Sequence, residues 1–187
     1  MEKVFPEILW ISDEKLRRKV KDCFMDGLAQ GGWTLEEMDM YAFSCNVPDY
    51  NVSFRDHIRT ITRMVHAAYE EYAAMYAGKY SLNYDYLIAG SLLHDVGKFI
   101  EMARDESSTL MPRRVVYSDK QKYLSHPFIG CALALKHGLP YEIAHMIAYH
   151  SKEGELHAKS PEALIMTLVD HVNFHPLRAQ AAFSANQ

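Results

Sequence analysis

Residues 92–98 carry the strongest functional signal in this chain, Leu92-Leu93-His94-Asp95-Val96-Gly97-Lys98. The adjacent histidine and aspartate are accompanied at long range by four further residues of the same two types, His57, His126, His150 and Asp170. Imidazole and carboxylate groups are ligands of mid-row divalent metals, and six of them can hold two ions. Two such ions generate hydroxide at neutral pH and promote its attack on a phosphate ester, so the pattern predicts a dinuclear metal site.

The size and composition of the chain indicate an ordinary globular protein. Of its 187 residues, 49% are hydrophobic and 24% are charged. This length predicts one domain whose core needs no disulfides. The formal net charge of -4 argues against nucleic acid and against an anionic membrane surface as partners. A small anionic substrate is compatible with that charge, because bound metal ions bring positive charge of their own.

The cysteines favour a reducing compartment. There are three of them, Cys23, Cys45 and Cys131, and they show no CxxC spacing. An odd number without paired spacing predicts reduced thiols, and we therefore expect a cytoplasmic protein. The first residues lack the long apolar core of a signal peptide, and the chain contains no apolar run of about 18 residues, so no membrane span is expected.

Apolar residues recur mostly at helical spacing, which predicts an all-α fold. Capping residues, glycines and prolines then place the helix ends. The predicted helices cover about residues 13–30, 34–43, 53–76, 83–96, 126–136, 140–150 and 160–170, with a turn at 46–49 and with Pro176 as the stop of the last helix. This plan predicts a helical extension over residues 1–50, a metal-binding catalytic domain over 51–176 and a tail over 177–187.

The candidate ligands lie on helix faces that also carry apolar residues. His57 shares its stripe with Ile61, and His150 follows Ile147 by three positions. One such histidine is more often a core residue that has found a hydrogen-bond partner than a metal ligand. Six ionisable groups on buried faces are harder to explain in that way, because each of them needs a partner in the interior.

Residues 104–125 are polar and show no regular periodicity. A loop of about 20 residues in a compact domain is usually a lid or a mobile segment. We expect its basic side chains to form a solvated stretch, with contact to substrate phosphates as the alternative. These residues are Arg113, Arg114, Lys120 and Lys122. The residues that select the substrate are expected in this loop and in the N-terminal helices.

The ordered set of residues resembles the HD-domain superfamily of metal-dependent phosphohydrolases over about residues 53–175. His57, the doublet His94-Asp95 and Asp170 match the H…HD…D signature of that superfamily. The segment 126–130, His-Pro-Phe-Ile-Gly, is similar to the HP-x-x-G segment of its members with two metals, and the segment 147–150, Ile-Ala-Tyr-His, is similar to their I-x-x-H segment. The resemblance implies an HD-domain helical bundle, here with the N-terminal helical extension added.

The resemblance also implies how two ions would be shared. The first ion would take His57, His94, Asp95 and Asp170, and the second would take His126 and His150, with Asp95 as the bridge. This mixture of nitrogen and oxygen ligands favours two divalent or mixed-valent transition-metal ions over Mg²⁺, with Fe first and Mn, Co or Zn as alternatives.

Two residues are expected to act in catalysis, the bridging Asp95 and Lys98. Taken alone, Lys98 would be read as a surface lysine. Its place in the HD-x-G-K pattern of the superfamily implies instead a clamp for a phosphate or a developing oxyanion. The other histidines are read as structural or surface residues, and His171 is the one among them expected beside the ligands.

Three functional hypotheses remain at this point. The first is a dinuclear metal phosphohydrolase, in which a metal-bound hydroxide cleaves a nucleotide or another small phosphate ester or anhydride. The second is a mixed-valent di-iron oxygenase on the same scaffold, which cleaves a C–C or C–P bond with O₂, as some members of the superfamily do. The third is a metal-stabilised regulatory domain without activity. Base rates in the superfamily favour hydrolysis of a small phosphorylated substrate. The oligomeric state is not predicted.

Overall fold

The computed structural model describes residues 1–46 and 52–184, and helices dominate both ranges. The α-helices are α1 (Glu14–Gly31), α2 (Phe54–Met75), α3 (Tyr84–Leu93), α4 (Lys98–Glu101), α5 (His126–Lys136), α6 (Tyr141–Tyr149) and α7 (Pro161–Ser184). One small antiparallel hairpin pairs β1 (Met102–Arg104) with β2 (Val115–Tyr117). Short 3₁₀ segments lie at Pro6–Trp10, Glu36–Asp39, Asp119–Lys122 and Lys152–Gly154. The predicted all-α class is confirmed.

Side-chain caps explain where the longer helices begin. The carboxylate of Asp13 accepts hydrogen bonds from the backbone N–H groups of Lys15 and Leu16 at the start of α1. The hydroxyl of Ser53 does the same for the N–H of Asp56 at the start of α2. These caps satisfy N–H groups that have no partner inside a helix, so the sequence rule placed both starts correctly.

The N-terminal residues share one hydrophobic core with α2, α3, α5 and α6, while the buried start of α7 packs in a second cluster with parts of α2, α3 and α6. Phe5, Ile8 and Phe24 are fully buried in the same cluster as Leu92 and Val96. Removing so much apolar surface from water is the main force that stabilises the arrangement. The predicted boundary between residues 50 and 51 lies outside the described residues, as do positions 47–49 of the predicted turn.

The last helix is longer than predicted, and the expected stop at Pro176 is wrong. Helix α7 continues through this proline to Ser184. A proline inside a helix removes one hydrogen bond and disfavours the helix locally. The helix continues because Phe174 and Leu177, on either side of the proline, both pack against the core. Tertiary packing therefore outweighs the local signal.

The segment 104–125 is also more regular than predicted. It contributes most of the β1–β2 hairpin and the 3₁₀ turn that follows. Arg104 ties this region to the N-terminal part, because its guanidinium donates to the Glu37 carboxylate at 2.7 and 2.8 Å and lies over the Trp33 ring. The backbone N–H of Arg113 donates to the carbonyl of Met40 at 2.7 Å. The prediction of an irregular loop is therefore wrong for residues 115–117 and 119–122.

Helix α3 ends earlier than predicted, at Leu93 rather than Val96. Residues 94–97 form successive turns that lead into α4. This break lets the chain change direction at the His94-Asp95 doublet. None of the helices in the described ranges combines the length and the apolar composition that a membrane span requires.

Candidate metal centre

The structure brings all six candidate ligands together. They come from α2, from the turn after α3, from the start of α5, from the residue after α6 and from α7. They form two groups, His57 with His94 and Asp170, and Asp95 with His126 and His150. In each group the ligand atoms lie within 4.8 Å of one another. Residues spread over more than a hundred positions thus converge on one small volume.

Asp95 lies between the two groups and turns one oxygen toward each. Its Oδ2 is 3.1 Å from Nε2 of His57 and 3.4 Å from Nε2 of His94. Its Oδ1 is 3.5 Å from Nε2 of both His126 and His150. This is the position that a carboxylate bridging two ions would occupy.

Backbone carbonyls fix the orientation of two of the imidazoles. Nδ1 of His94 donates to the carbonyl of Ser91 at 2.7 Å, and Nδ1 of His150 donates to the carbonyl of Ile147 at 2.8 Å. A carbonyl can only accept, so Nδ1 of each ring carries a proton. In the neutral ring the lone pair is then on Nε2, which faces Asp95.

Side chains orient the other two imidazoles. Nδ1 of His57 lies 2.8 Å from Oδ1 of Asn173 on α7. Nδ1 of His126 donates to Oε2 of Glu101 at 2.9 Å, and Oε1 of the same carboxylate accepts from the backbone N–H of His126 at 3.1 Å. Burial lowers the pKa of the His57 and His126 imidazoles, and this favours the neutral form that binds metals.

The inward-facing atoms are mostly acceptors, and this is what fits them to a metal. Nε2 of His57 is 3.2 Å from Nε2 of His94, and Nε2 of His126 is 3.3 Å from Nε2 of His150. Within the described part of the chain, neither oxygen of the buried Asp95 accepts a hydrogen bond of good geometry. Lone pairs held this close repel each other unless a cation lies between them. Ligand atoms that share one ion lie ~3–3.5 Å apart, so the spacing suits a transition metal.

Lys98 is part of this cluster. Its Nζ lies 2.7 Å from Oδ2 of Asp95. Burial disfavours the Asp95 carboxylate, but the charge of Lys98, joined by that of His94 when its ring is protonated, more than offsets this penalty and holds the pKa of Asp95 well below the ordinary value. Burial also disfavours the Lys98 ammonium, and the charges of Asp95 and Asp170 raise its pKa nevertheless. Both groups are therefore charged at neutral pH.

Two glycines let α5 approach the turn that carries the doublet. A Cβ on Gly97 would lie 2.0 Å from the carbonyl oxygen of His126. A Cβ on Gly130 would lie 2.8 Å from Cγ2 of Ile147 and 3.3 Å from Cγ1 of Val96. Neither glycine has a positive φ, so both are needed for space rather than for backbone conformation. Gly97 thereby allows His126 to reach Asp95.

The cluster opens into a cavity of about 340 Å³. Asp95 and His150 are buried but line it, and His57 and His94 are buried behind them. The side chains of His126 and Asp170, which also line it, are 15% and 16% exposed. The walls come from residues 43–46, from the hairpin region, from the segment after α6 and from α7. Among the charged or titratable wall residues are Lys98, Glu101, Lys152, Glu153, Glu155, His171, His175 and Arg178.

Four residues of this site were not predicted from the sequence. Glu101 and Asn173 orient ligands, and His175 and Arg178 line the cavity. Asn173 lies three positions after Asp170 on the same helix, and this spacing places both residues on one face. Nothing in the sequence near Glu101 indicates its role. His171 lines the cavity beside Asp170, as expected.

The predicted basic stretch of loop 104–125 lies outside the cavity that contains the ligand cluster. Lys122 pairs with Asp119 on the surface, and Arg114 lies 3.8 Å from Asp105. Lys120 lines a separate apolar cleft. Arg113 does not line the cavity that contains the cluster. Within 104–125, it is Tyr117, Gln121 and Ser125 that reach the cavity wall.

Comparison with known proteins agrees with the residue pattern. A model of the HD domain family matches residues 55–174, well over half of the chain, and this range includes all six candidate ligands, Lys98 and Glu101. The comparison with curated proteins found no match, and neither did the comparison with solved structures. On the strength of the family match, this chain belongs to the HD domain family.

Proposed function

We propose that this protein is a metal-dependent phosphohydrolase with a dinuclear centre, acting on a nucleotide or another small phosphate ester or anhydride. One observation carries the proposal. The two oxygens of Asp95 face two separate sets of inward-pointing nitrogens, and within the described residues neither oxygen accepts a hydrogen bond of good geometry. A buried carboxylate is retained only when positive charge balances it. Lys98 supplies one such charge beside Oδ2, and metal ions held by the facing nitrogens would supply the rest.

The residues have distinct roles in this proposal. His57, His94 and Asp170 would hold one ion, His126 and His150 would hold the other, and Asp95 would serve both. Bound there, the ions supply an acidified water as nucleophile and positive charge to offset that of the phosphate. Asn173 and Glu101 keep Nε2 of His57 and of His126 directed inward, which is the usual task of groups behind metal ligands.

Lys98 supplies a further positive charge at the cavity floor. Its ammonium lies against Asp95 and is 13% exposed, so it borders the open cavity as well as the buried cluster. An ammonium has three N–H donors, and the contact with one Asp95 oxygen occupies at most one of them. A remaining N–H can donate to a phosphate oxygen and stabilise the charge that develops there during cleavage.

The proposal is tested by metal analysis and phosphate release on the same preparation. Protein purified without oxygen should contain close to two transition-metal ions per chain. Reconstituted with Mn²⁺ or Fe²⁺, it should release phosphate, without consuming oxygen, from at least one member of a panel of nucleotides and small phosphate esters. Metal-replete protein that releases phosphate from none of them would count against the proposal.

The same ligands would also suit a di-iron oxygenase, and oxygen uptake separates the two. The hydrolase should give identical phosphate release in air and under nitrogen. Oxygen consumption that depends on half-reduced iron and accompanies C–C or C–P cleavage would replace the hydrolase with the oxygenase.

A further inference from the structure

The part of α7 beyond the candidate ligand Asp170 forms one wall of the cavity. His171, Phe174, His175 and Arg178 all line it. Their spacing of three and four positions places them on one face of the helix. Arg178 reaches this wall only because the helix continues through Pro176. The last helix therefore contributes to the metal cluster at one point and to the outer cavity at another.

The outer cavity contains two cations that are not engaged elsewhere. Arg178 on α7 and Lys152 in the segment after α6 are both exposed and both line the cavity. Neither forms an ion pair within residues 1–46 and 52–184. Two acids lie nearby on the same wall. Glu153 is held by the Ser151 hydroxyl, and Glu155 is exposed.

The distance along α7 separates this outer pair from the cluster. Arg178 follows Asp170 by eight positions in α7, which corresponds to ~12 Å of rise along the helix. A single phosphate bound beside Lys98 and the ligand cluster lies well short of the Arg178 backbone. Side chains on a helix lean toward its N-terminus, so the long Arg178 side chain can reach back toward a second phosphate linked to the first. A guanidinium is the side chain best suited to grip such a phosphate through two parallel hydrogen bonds.

We propose that Arg178 and Lys152 form a second anion subsite, and that the substrate carries at least one phosphate beyond the one that is attacked, as a nucleoside polyphosphate does. This inference rests on the proposed function, because it takes the metal cluster as the site of the first phosphate. It differs from the expectation that loop 104–125 supplies the phosphate contacts, since the subsite lies on α7 and after α6.

Binding of two small probes tests the subsite. The full-length protein is loaded with Mn²⁺, and free Mn²⁺ is kept equal in cell and syringe during calorimetric titration. Orthophosphate represents the first phosphate, and imidodiphosphate, which resists hydrolysis, represents two linked phosphates. Arg178→Ala should weaken imidodiphosphate binding about tenfold or more and change orthophosphate binding less than about twofold. Arg178→Lys should retain part of the lost affinity.

A matched surface variant controls for net charge. Arg18→Ala removes one exposed arginine from α1, outside the cavity, and should change neither affinity by more than about twofold. If Arg178→Ala leaves imidodiphosphate binding unchanged, or weakens both probes equally, the subsite is refuted while the proposed function stands. If neither probe binds the Mn²⁺-loaded wild-type protein, the proposed function fails first and the subsite fails with it.

Discussion

Two aspartate–lysine pairs in this protein have the same sequence spacing and almost the same length, yet they lie in different regions. Asp95 Oδ2 and Lys98 Nζ are 2.7 Å apart at the inner end of the cavity, where the side chains are 1% and 13% exposed. Asp119 Oδ1 and Lys122 Nζ are 2.6 Å apart on the surface, where the side chains are 93% and 69% exposed.

The difference between these pairs lies in what surrounds them. Water screens the surface pair, so its formation changes the free energy of folding very little. Asp95 is withdrawn from water and faces four imidazole nitrogens as well as Lys98. Its negative charge has to be balanced by positive groups that the fold brings to it. Among the described residues, Lys98 is the only lysine or arginine that pairs with this carboxylate, and the surrounding imidazoles add further lone pairs. A motif of Asp and Lys three positions apart is therefore informative only when it is buried.

The largest effect is expected from Asp95→Asn. This change keeps the shape of the side chain and removes the charge that both groups of ligands share. Metal content should fall from about two ions per chain to less than one, and phosphate release should be lost. Asp119→Asn, in the surface pair, should alter neither quantity. Elemental analysis measures the metal content, and a phosphate assay measures the turnover. If Asp95→Asn keeps both ions and its turnover, Asp95 is not a metal ligand.

Lys98→Ala should have the next largest effect. The loss of one donor aimed at developing charge lowers kcat by about 10²–10³-fold in well-studied enzymes. Because Lys98 is not among the candidate ligands, the metal content should stay near that of the wild type. Lys122→Ala is the control and should leave kcat unchanged. If Lys98→Ala and Lys122→Ala have the same kcat, Lys98 is only a structural partner of Asp95.

A second matched comparison concerns the acids that hold histidines. Glu101 lies 2.9 Å from His126 in the interior, and Asp26 lies 2.9 Å from His137 nearer the surface. Glu101→Gln should weaken metal binding about 10–100-fold at the His126–His150 group, as loss of such a supporting group typically does. The His57–His94–Asp170 group should keep its ion. Competition titration with a chelator would show one weakened site; equal weakening of both would contradict a local role.

The smallest effect is expected from Asp26→Asn, and it should depend on pH. Hydrogen bonds from Lys136, His137 and Gln30 hold the pKa of the Asp26 carboxyl below its ordinary value. A carboxyl whose pKa is lowered by folding stabilises the native state above its unfolded pKa and loses this contribution as the pH falls. Urea unfolding should show a small loss of stability at neutral pH that disappears in acid. A loss that grows as the pH falls would have the wrong sign.

The sequence was most informative where ionisable residues share a helix face with core residues. His57, His150 and Asp170 stood out because a buried charge or imidazole requires a partner. Glu101 did not stand out, because its role depends on α4 meeting the first residue of α5, a contact between elements that no local pattern encodes. Arg178 was missed for a different reason, since the rule that proline ends a helix was outweighed by the packing of Phe174 and Leu177.

Anomalous X-ray scattering from crystals of the Mn²⁺-loaded protein would show directly whether the six side chains hold two ions. We expect two peaks ~3.5–4 Å apart. One should lie beside His57, His94 and Asp170, the other beside His126 and His150, with one Asp95 oxygen directed at each. An absence of peaks at the cluster, or strong peaks only elsewhere on the chain, would show that these side chains converge for packing and not to hold metal.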